Sequence, residues 1–319
     1  MGREFFRRKR ITVVMIVLSL ALLSLVIQGC GGRSGYDTPS TTQTSSALIS
    51  ADTLKGWIDS GKVNGSGYDR VVVLDVNSPA NYAYGHIPGA QFLNSNDIYQ
   101  TRTEGPATDI NMVLDGSHMD ALIQKYGIDR NTTIVFTSGS PAKNISGGLI
   151  SSPYGDILNA TRLYWTFRYW GFPKERLKVL DGINIDYAAK YGPLTTAAAP
   201  QITPSTYSVR NNGILRSDLR ASLSDMINVA EGKVPNELTI DMRSSTTSGS
   251  YAGAPGSTPG VFPPAGDFVV FEGHIKGATA LSWQTLLDPN NNYRFLPASQ
   301  LIAQFTAIGL DSTKTAYVY

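Results

Sequence analysis

A short pattern occurs twice in this chain, and its repetition constrains the fold more than any other feature. The two copies are Gly85-His86-Ile87-Pro88-Gly89-Ala90 and Gly273-His274-Ile275-Lys276-Gly277-Ala278. Each follows a short apolar run that ends in an aspartate, Val71 to Asp75 and Leu238 to Asp241. Each is followed by an apolar/polar segment, a helix-like stretch, a Gly-apolar-Asp turn (Gly127-Ile128-Asp129 and Gly309-Leu310-Asp311) and another strand-like run. The same order of elements around both copies indicates a duplicated domain. Two of the three histidines in the chain sit in this pattern. Its glycines suit a turn in which backbone must approach backbone. His86, His274 and Asp75 are expected to tie that turn to the strand end by hydrogen bonds, a structural use and not a catalytic one. A Ser/His/Asp triad can be written from the residues present, but no spacing supports it.

The first repeat reads as an alternation of strands and helices. Ser50 and Asp52 precede a helical pattern through Leu54, Trp57 and Ile58, a capped helix start. Val71-Val72-Val73-Leu74-Asp75 and Thr133-Ile134-Val135-Phe136 are continuous apolar runs, the mark of strands buried on both faces. Met119 to Tyr126 is helix-like with Gly127 at its end, Arg162 to Trp170 is an aromatic-rich helix, and Leu177 to Leu180 is a third strand closed by Asp181-Gly182. Such alternation implies βαβ units and a parallel sheet flanked by helices, an α/β fold. Gly192 to Asn212, with three prolines and an Ala/Thr-rich stretch, is the expected interdomain linker. In the second repeat Arg216 to Ala230 reads as a helix, Leu238 to Asp241 as a strand and Ser299 to Ile308 as a helix, and Tyr317-Val318-Tyr319 begins a strand. The boundaries expected are 48–195 for the first domain, 196–212 for the linker and 213–319 for the second.

The amino terminus belongs to targeting and not to the fold. Arg3, Arg7, Arg8, Lys9 and Arg10 precede an uncharged apolar run from Ile11 to Ile27, and Gln28-Gly29-Cys30 follows. The run reaches the lower length limit for spanning a bilayer, so an uncleaved anchor helix is one reading of it. The chain's one cysteine, however, lies at its end after a glycine. That arrangement resembles the lipobox of bacterial lipoproteins, although Ile27 and Gln28 depart from the favoured residues. The resemblance implies a signal peptide over 1–29, a lipid on Cys30 that anchors the protein to a bilayer, and a cell-envelope location. Gly31, in place of aspartate, implies sorting to the outer membrane. Residues 30–47, rich in Gly, Ser and Thr, form a flexible tether. The signal carries +4 of charge against +2 for the whole chain, which leaves the remainder at −2 and gives no basic patch for nucleic acid. With Cys30 acylated, no thiol remains for a disulfide, a metal or a nucleophile. One cysteine and three histidines also argue against a structural zinc site, and no cofactor is expected.

The spaced motifs resemble the rhodanese family, and within it the two-domain thiosulfate sulfurtransferases. The first copy carries Leu74-Asp75-Val76, Tyr84-Gly85-His86-Ile87-Pro88-Gly89-Ala90 and Val179-Leu180-Asp181-Gly182. The second carries Ile240-Asp241-Met242-Arg243, Tyr251-Ala252-Gly253 with a Gly/Pro-rich insertion, and Gly273-His274-Ile275-Lys276-Gly277-Ala278, followed by Trp283, Leu286-Leu287 and Asp288-Pro289. The resemblance implies tandem rhodanese-like domains in which a cysteine takes sulfane sulfur from a small sulfur-containing anion as a persulfide. A thiol or cyanide acceptor then removes it. The cysteine's loop follows a buried strand, where inward amides favour an anion. Aligning the two Gly-apolar-Asp turns puts Ser138 at the cysteine's place in the first domain, and a hydroxyl cannot hold a persulfide. The equivalent in the second domain is position 320, one beyond Tyr319, so that domain is expected to be incomplete and the 319-residue chain inactive. Asp241 and Arg243 match the family's Asp-x-Arg beside the catalytic loop, where the arginine helps hold the anion; a local ion pair is the other use of such residues. The second arginine of that pattern is absent, with Thr247 in its neighbourhood. The competing expectation is a non-catalytic binding or scaffold lipoprotein, and a phosphatase-type loop on the same fold is a third.

Overall fold

Strand-forming and helix-forming segments alternate as the hydrophobic pattern requires, and the computed structural model describes them over residues 46–142, 153–243 and 274–319. The signal peptide, Cys30 and most of the tether lie outside the described residues, as do Thr247, Tyr251-Ala252-Gly253 and Gly273. No helix among the described residues is long and apolar enough to cross a membrane.

The first repeat comprises β1 (Leu48–Ile49), α1 (Ala51–Asp59), β2 (Val71–Asn77), α2 (Pro79–Tyr84), β3 (Gln91–Asn94), β4 (Gln100–Glu104), β5 (Ala107–Met112), α3 (Gly116–Lys125), β6 (Thr133–Thr137), α4 (Pro153–Tyr169), β7 (Leu177–Leu180) and α5 (Ile183–Tyr191). Five strands form one parallel sheet in the order β1-β7-β6-β2-β3. Every residue of β2 is buried, because helices cover both faces of a parallel sheet. Val72, Leu74 and Val76 pack on one face with Met119, Ile123, Leu163 and Phe167. Val71 and Val73 pack on the other with Leu54, Ile87 and Tyr187. Each such side chain removed from water contributes about 1.5–3 kcal/mol. The Ser50 side chain accepts from the Thr53 amide and starts α1. The expected helix at Arg162 begins earlier, at Pro153, a residue that suits a first turn because its missing N–H has no partner there. The antiparallel ribbon β4–β5 was not foreseen.

The segment expected as a linker is strapped to the first domain. His86 and Thr195 exchange backbone hydrogen bonds of 2.9 Å, and Ser205 N–H donates to the Gln124 carbonyl at 3.0 Å. A short helix α6 (Val209–Asn212) docks through the Asp120 carboxylate, which accepts from Ser208 Oγ (2.8 Å), Val209 N (2.6 Å) and Arg210 Nε (2.7 Å).

The second repeat comprises α7 (Leu223–Ala230), β8 (Glu237–Asp241), β9 (Thr279–Ala280), β10 (Leu287–Asp288), β11 (Arg294–Phe295), α8 (Ala298–Ala307) and β12 (Thr315–Val318). The helix expected from Arg216 forms only from Leu223. Arg216 instead makes a local ion pair with Asp218 (2.7 Å), and Ser222 with Asp225 forms a reciprocal capping box that sets the start. Strand β12 begins at Thr315, so the strand expected to begin at Tyr317 was set too late. Its described sheet is β12-β8-β9, all parallel, which reproduces the β6-β2-β3 part of the first. The Asp181 carboxylate of the first repeat accepts from Arg294 Nε (3.0 Å) and Phe295 N (2.8 Å), and Asp186 accepts from Asn292 Nδ2 (3.0 Å). Beside this clasp Ile157, Ile183, Ile185 and Leu287 are buried together.

Candidate active site

The duplicated pattern folds into the same turn twice. Gly89 and Gly277 both take left-handed backbone, at φ 83° and 85°, where a side chain would be strained. In each turn the following alanine N–H donates to the isoleucine carbonyl at 2.9 Å, Ala90 to Ile87 and Ala278 to Ile275. The His86 ring is stacked on Tyr82 at 3.8 Å. Its Nδ1 lies 3.1 Å from the Tyr82 carbonyl and its Nε2 lies 2.9 Å from that of Ala197. Both nitrogens are thus engaged by backbone, one of them by the strap, and neither faces a reacting group. His274 is exposed at the head of the second turn. His118 sits on α3, its ring 2.9 Å from the Asp115 carboxylate.

Strand register relates the two sites. In the first repeat Asp75 lies opposite Thr137. In the second, Ile240 lies opposite Val318, and Tyr319 continues the ladder by donating its N–H to the Ile240 carbonyl and accepting from Met242 N–H. Asp241 and Tyr319 therefore correspond to Asp75 and Thr137, and the residue that follows Thr137 is Ser138.

At this corner of the first repeat the space is closed by a hydrogen-bonded network. Ser138 is fully buried and donates its hydroxyl to the Val76 carbonyl at 2.5 Å. Asp75 accepts from Asn77 Nδ2 (2.6 Å) and Asn184 Nδ2 (2.9 Å), and the same two amides donate to the Gly139 carbonyl (3.1 and 2.9 Å). Thr137 donates to Asn184 Oδ1 at 2.8 Å. Burial pushes the Asp75 carboxyl up to about 7; the amide hydrogen bonds oppose this, and the nearby Asp156 carboxylate adds to it. The same burial, with the Asp75 charge, raises the Tyr82 phenol to about 12.

In the second repeat the place of Asn77 is taken by Arg243. Asp241 is buried and receives Arg243 Nε at 2.9 and 3.0 Å, Nη2 at 2.5 Å and the Arg243 N–H at 3.0 Å. Burial alone would raise the Asp241 carboxyl, but the hydrogen bonds and charge of Arg243 outweigh it and hold it below the usual carboxylate range. The guanidinium lies 5.5 Å from the centre of the Tyr319 ring, and Tyr319 Oη accepts from Ile275 N–H at 3.0 Å, joining the duplicated turn to the strand end. Beside them a cleft of about 300 Å³ is walled by Ile157 and Leu158 of α4 and by Trp283, Leu286, Phe295 and Tyr319. The corner thus holds a guanidinium next to the end of β12, its charge shared with Asp241, and guanidinium N–H groups are well suited to hydrogen-bond an anion. Sequence reasoning singled out Asp75, Ser138, Asp241 and Arg243 but missed Asn77, Asn184, Asp156 and Tyr319. Superposing the two copies exposes Asn77, since it stands where Arg243 does; nothing local marks Asn184.

The model of the rhodanese-like domain family matches residues 50–182. A putative thiosulfate sulfurtransferase of Synechococcus elongatus is 23% identical over 308 residues, covering 94% of this chain and 81% of that protein. Among solved structures, an anaerobic ergothioneine biosynthesis enzyme from Chlorobium limicola, in complex with trimethyl histidine, matches with a TM-score of 0.62 at 15% identity, over 89% of this chain. The chain spans 62% of that enzyme's length. The 3-mercaptopyruvate sulfotransferase SseA of Escherichia coli matches with a TM-score of 0.59 at 16% identity, over 85% of this chain and 87% of its own. At such identities the structural likeness shows the fold. The domain match shows a rhodanese-like domain over residues 50–182, and along both repeats the chain is similar to a putative thiosulfate sulfurtransferase.

Proposed function

We propose that this protein is an envelope-anchored sulfurtransferase whose working corner is that of the second repeat. The observation that carries the reading is the asymmetry between the two corners: a neutral amide beside Asp75, a guanidinium beside Asp241. Sulfur transfer from thiosulfate or a similar anion needs a cation at the carboxyl end of the central strands, and Arg243 supplies one. The sulfur carrier is a cysteine at position 320, on the loop that follows β12. Its thiolate attacks the outer sulfur of thiosulfate, the S–S bond breaks, and sulfite leaves with the electron pair. Cyanide or a thiol then removes that sulfur and regenerates the thiolate. Asp241 positions Arg243, and Arg243 orients the donor and lowers the cost of bringing its charge to the loop; no cofactor takes part. Cys30 carries the lipid that holds the protein to the envelope, at the outer membrane.

Intact mass measurement after exposure to thiosulfate tests this. A form that continues past Tyr319 should gain one sulfur atom, and the same form with serine at position 320 should gain none. No gain in the cysteine form, or an equal gain in both, refutes the assignment. A second reading, a non-catalytic binding lipoprotein, is favoured by Ser138, which fills the first corner and leaves it without a thiol; a natural loop lacking cysteine at position 320 would select it.

A further inference from the structure

A polar concavity lies at the other end of the first sheet. Its volume is about 910 Å³, in the range of small-molecule sites. It is bounded by the Asn64–Gly67 loop, by Gly127, Asp129 and Arg130, and by the strap from Gln201 to Tyr207, with Arg70 and Val72 at its base. Arg70 precedes β2 and Asp75 lies five residues on, a separation of about 17 Å along a strand. The groove is therefore distinct from both corners.

Its walls are built in advance. Gly127 has φ 63°, and a Cβ there would come within 2.6 Å of Ile202 Cγ2 and of the Thr203 carbonyl oxygen, so the strap sits directly on the turn. Ser205 Oγ donates to the Ile128 carbonyl at 2.7 Å and fixes the strap from below. The lining is mostly hydroxyls and amides, including Ser66, Thr203, Thr206 and Gln201, with the half-buried Tyr207 as its one aromatic side chain.

The charges select the ligand further. Asp129 is occupied: Oδ2 takes Arg70 Nη2 at 2.7 Å, and Oδ1 takes the Asn131 and Thr132 amides. Arg70 is thereby neutralised. Arg130 is exposed on the rim and forms no ion pair among the described residues, so the groove offers one uncompensated cation. A phosphorylated or polyanionic ligand would meet that one cation and leave its remaining charges without a partner. An apolar ligand would leave the hydroxyls and amides unpaired, at a cost. Hydroxyl-rich rings both donate and accept, as do the lining side chains, and present C–H faces to an aromatic ring.

We propose that this groove is a binding site for a singly acidic oligosaccharide, with its one carboxylate on Arg130 and sugar rings along the strap. The site is independent of sulfur transfer. The test is calorimetric titration of the protein with cellobiouronate, which carries one carboxylate, with cellobiose, its carboxyl-reduced counterpart, and with inorganic phosphate. Saturable binding of the acid is expected, weaker by about tenfold or more for the reduced sugar and for Arg130→Gln, as befits loss of a charge-assisted contact, with Arg130→Lys in between. Because Arg130 is exposed, its substitution should leave the unfolding curve unchanged, so a loss of binding reads the site and not the fold. Absence of saturation at millimolar sugar, equal affinity for acid and reduced forms, an unaffected Arg130→Gln variant, or displacement of the sugar by an equal concentration of phosphate would each overturn the proposal.

Discussion

The buried carboxyl at the first corner gives a quantitative expectation. Asp75 titrates near 7 in the folded protein against 3.8 for an unperturbed aspartate, a rise of roughly 3 pK units, or about 4 kcal/mol at about 1.4 kcal/mol per unit. Because the folded value is the higher one, the native state binds the proton more tightly than the unfolded chain. The stabilising contribution is therefore complete below pH ~4 and disappears as pH rises through 7, with a slope of about −1.4 kcal/mol per pH unit in between. The perturbation is Asp75→Asn, which removes the titration while keeping the size. It also costs one amide, Asn77 or Asn184, one of its two acceptors, while the Gly139 carbonyl remains, a cost of about 1–3 kcal/mol that does not depend on pH. Urea unfolding at intervals from pH 4.5 to 8.5 should then show the wild type more stable than the variant in acid, with the gap closing or reversing above pH 7. Taking the difference cancels the titrating groups that do not interact with Asp75, including Asp115, whose carboxyl the His118 amide and ring hold down to about 2. Parallel profiles for the two proteins would refute the assignment of that proton to Asp75.

Further expectations concern the other elements. In a form that continues past Tyr319, Arg243→Ala should raise the KM for thiosulfate ten- to a hundredfold, since a hydrogen bond to a charged group contributes about 1.5–3 kcal/mol; steady-state kinetics would read it. Ser138→Cys should gain no persulfide on exposure to thiosulfate, because that side chain points at the Val76 carbonyl inside a closed network; intact mass checks this. Cys30→Ala should abolish metabolic lipid labelling and release the protein from membranes on fractionation. Limited proteolysis should cut within 213–319 before 48–195, because the small buried cluster around Ile240, Leu301 and Phe305 resists local opening less than the core around Phe136 and Phe167.

Legibility from sequence followed burial. Strands β2, β6 and β7 announce themselves because a strand buried on both faces must be apolar throughout. The duplicated turn was visible because its glycines are fixed by backbone conformation and not by partners. The ribbon β4–β5 was hidden: Gln100, Arg102 and Glu104 give no apolar alternation, and the ribbon is held by Glu104 accepting from Arg220 at 2.8 and 2.9 Å. Asn184 was hidden for a related reason, since its partners Asp75, Thr137 and Gly139 lie 45 or more residues away. Long-range polar pairing has no period to read.

The strap has a consequence for the order of assembly. Its end remains fixed to the first repeat well past α6: Arg216 N–H donates to the Tyr169 carbonyl, and Trp165 Nε1 donates to that of Leu219. Arg220 still reaches Glu104, so only Ala221 separates the last contact from the Ser222 cap of α7. As the chain leaves the ribosome amino end first, the completed first repeat can present Asp181, Asp186 and one wall of the cleft before Asn292 and Arg294 exist. When they are made they find their acceptors within the same chain, and the closure cost grows only slowly with the roughly 70 residues between. A copy with no thiol of its own would thus persist as the mould on which its sibling is cast.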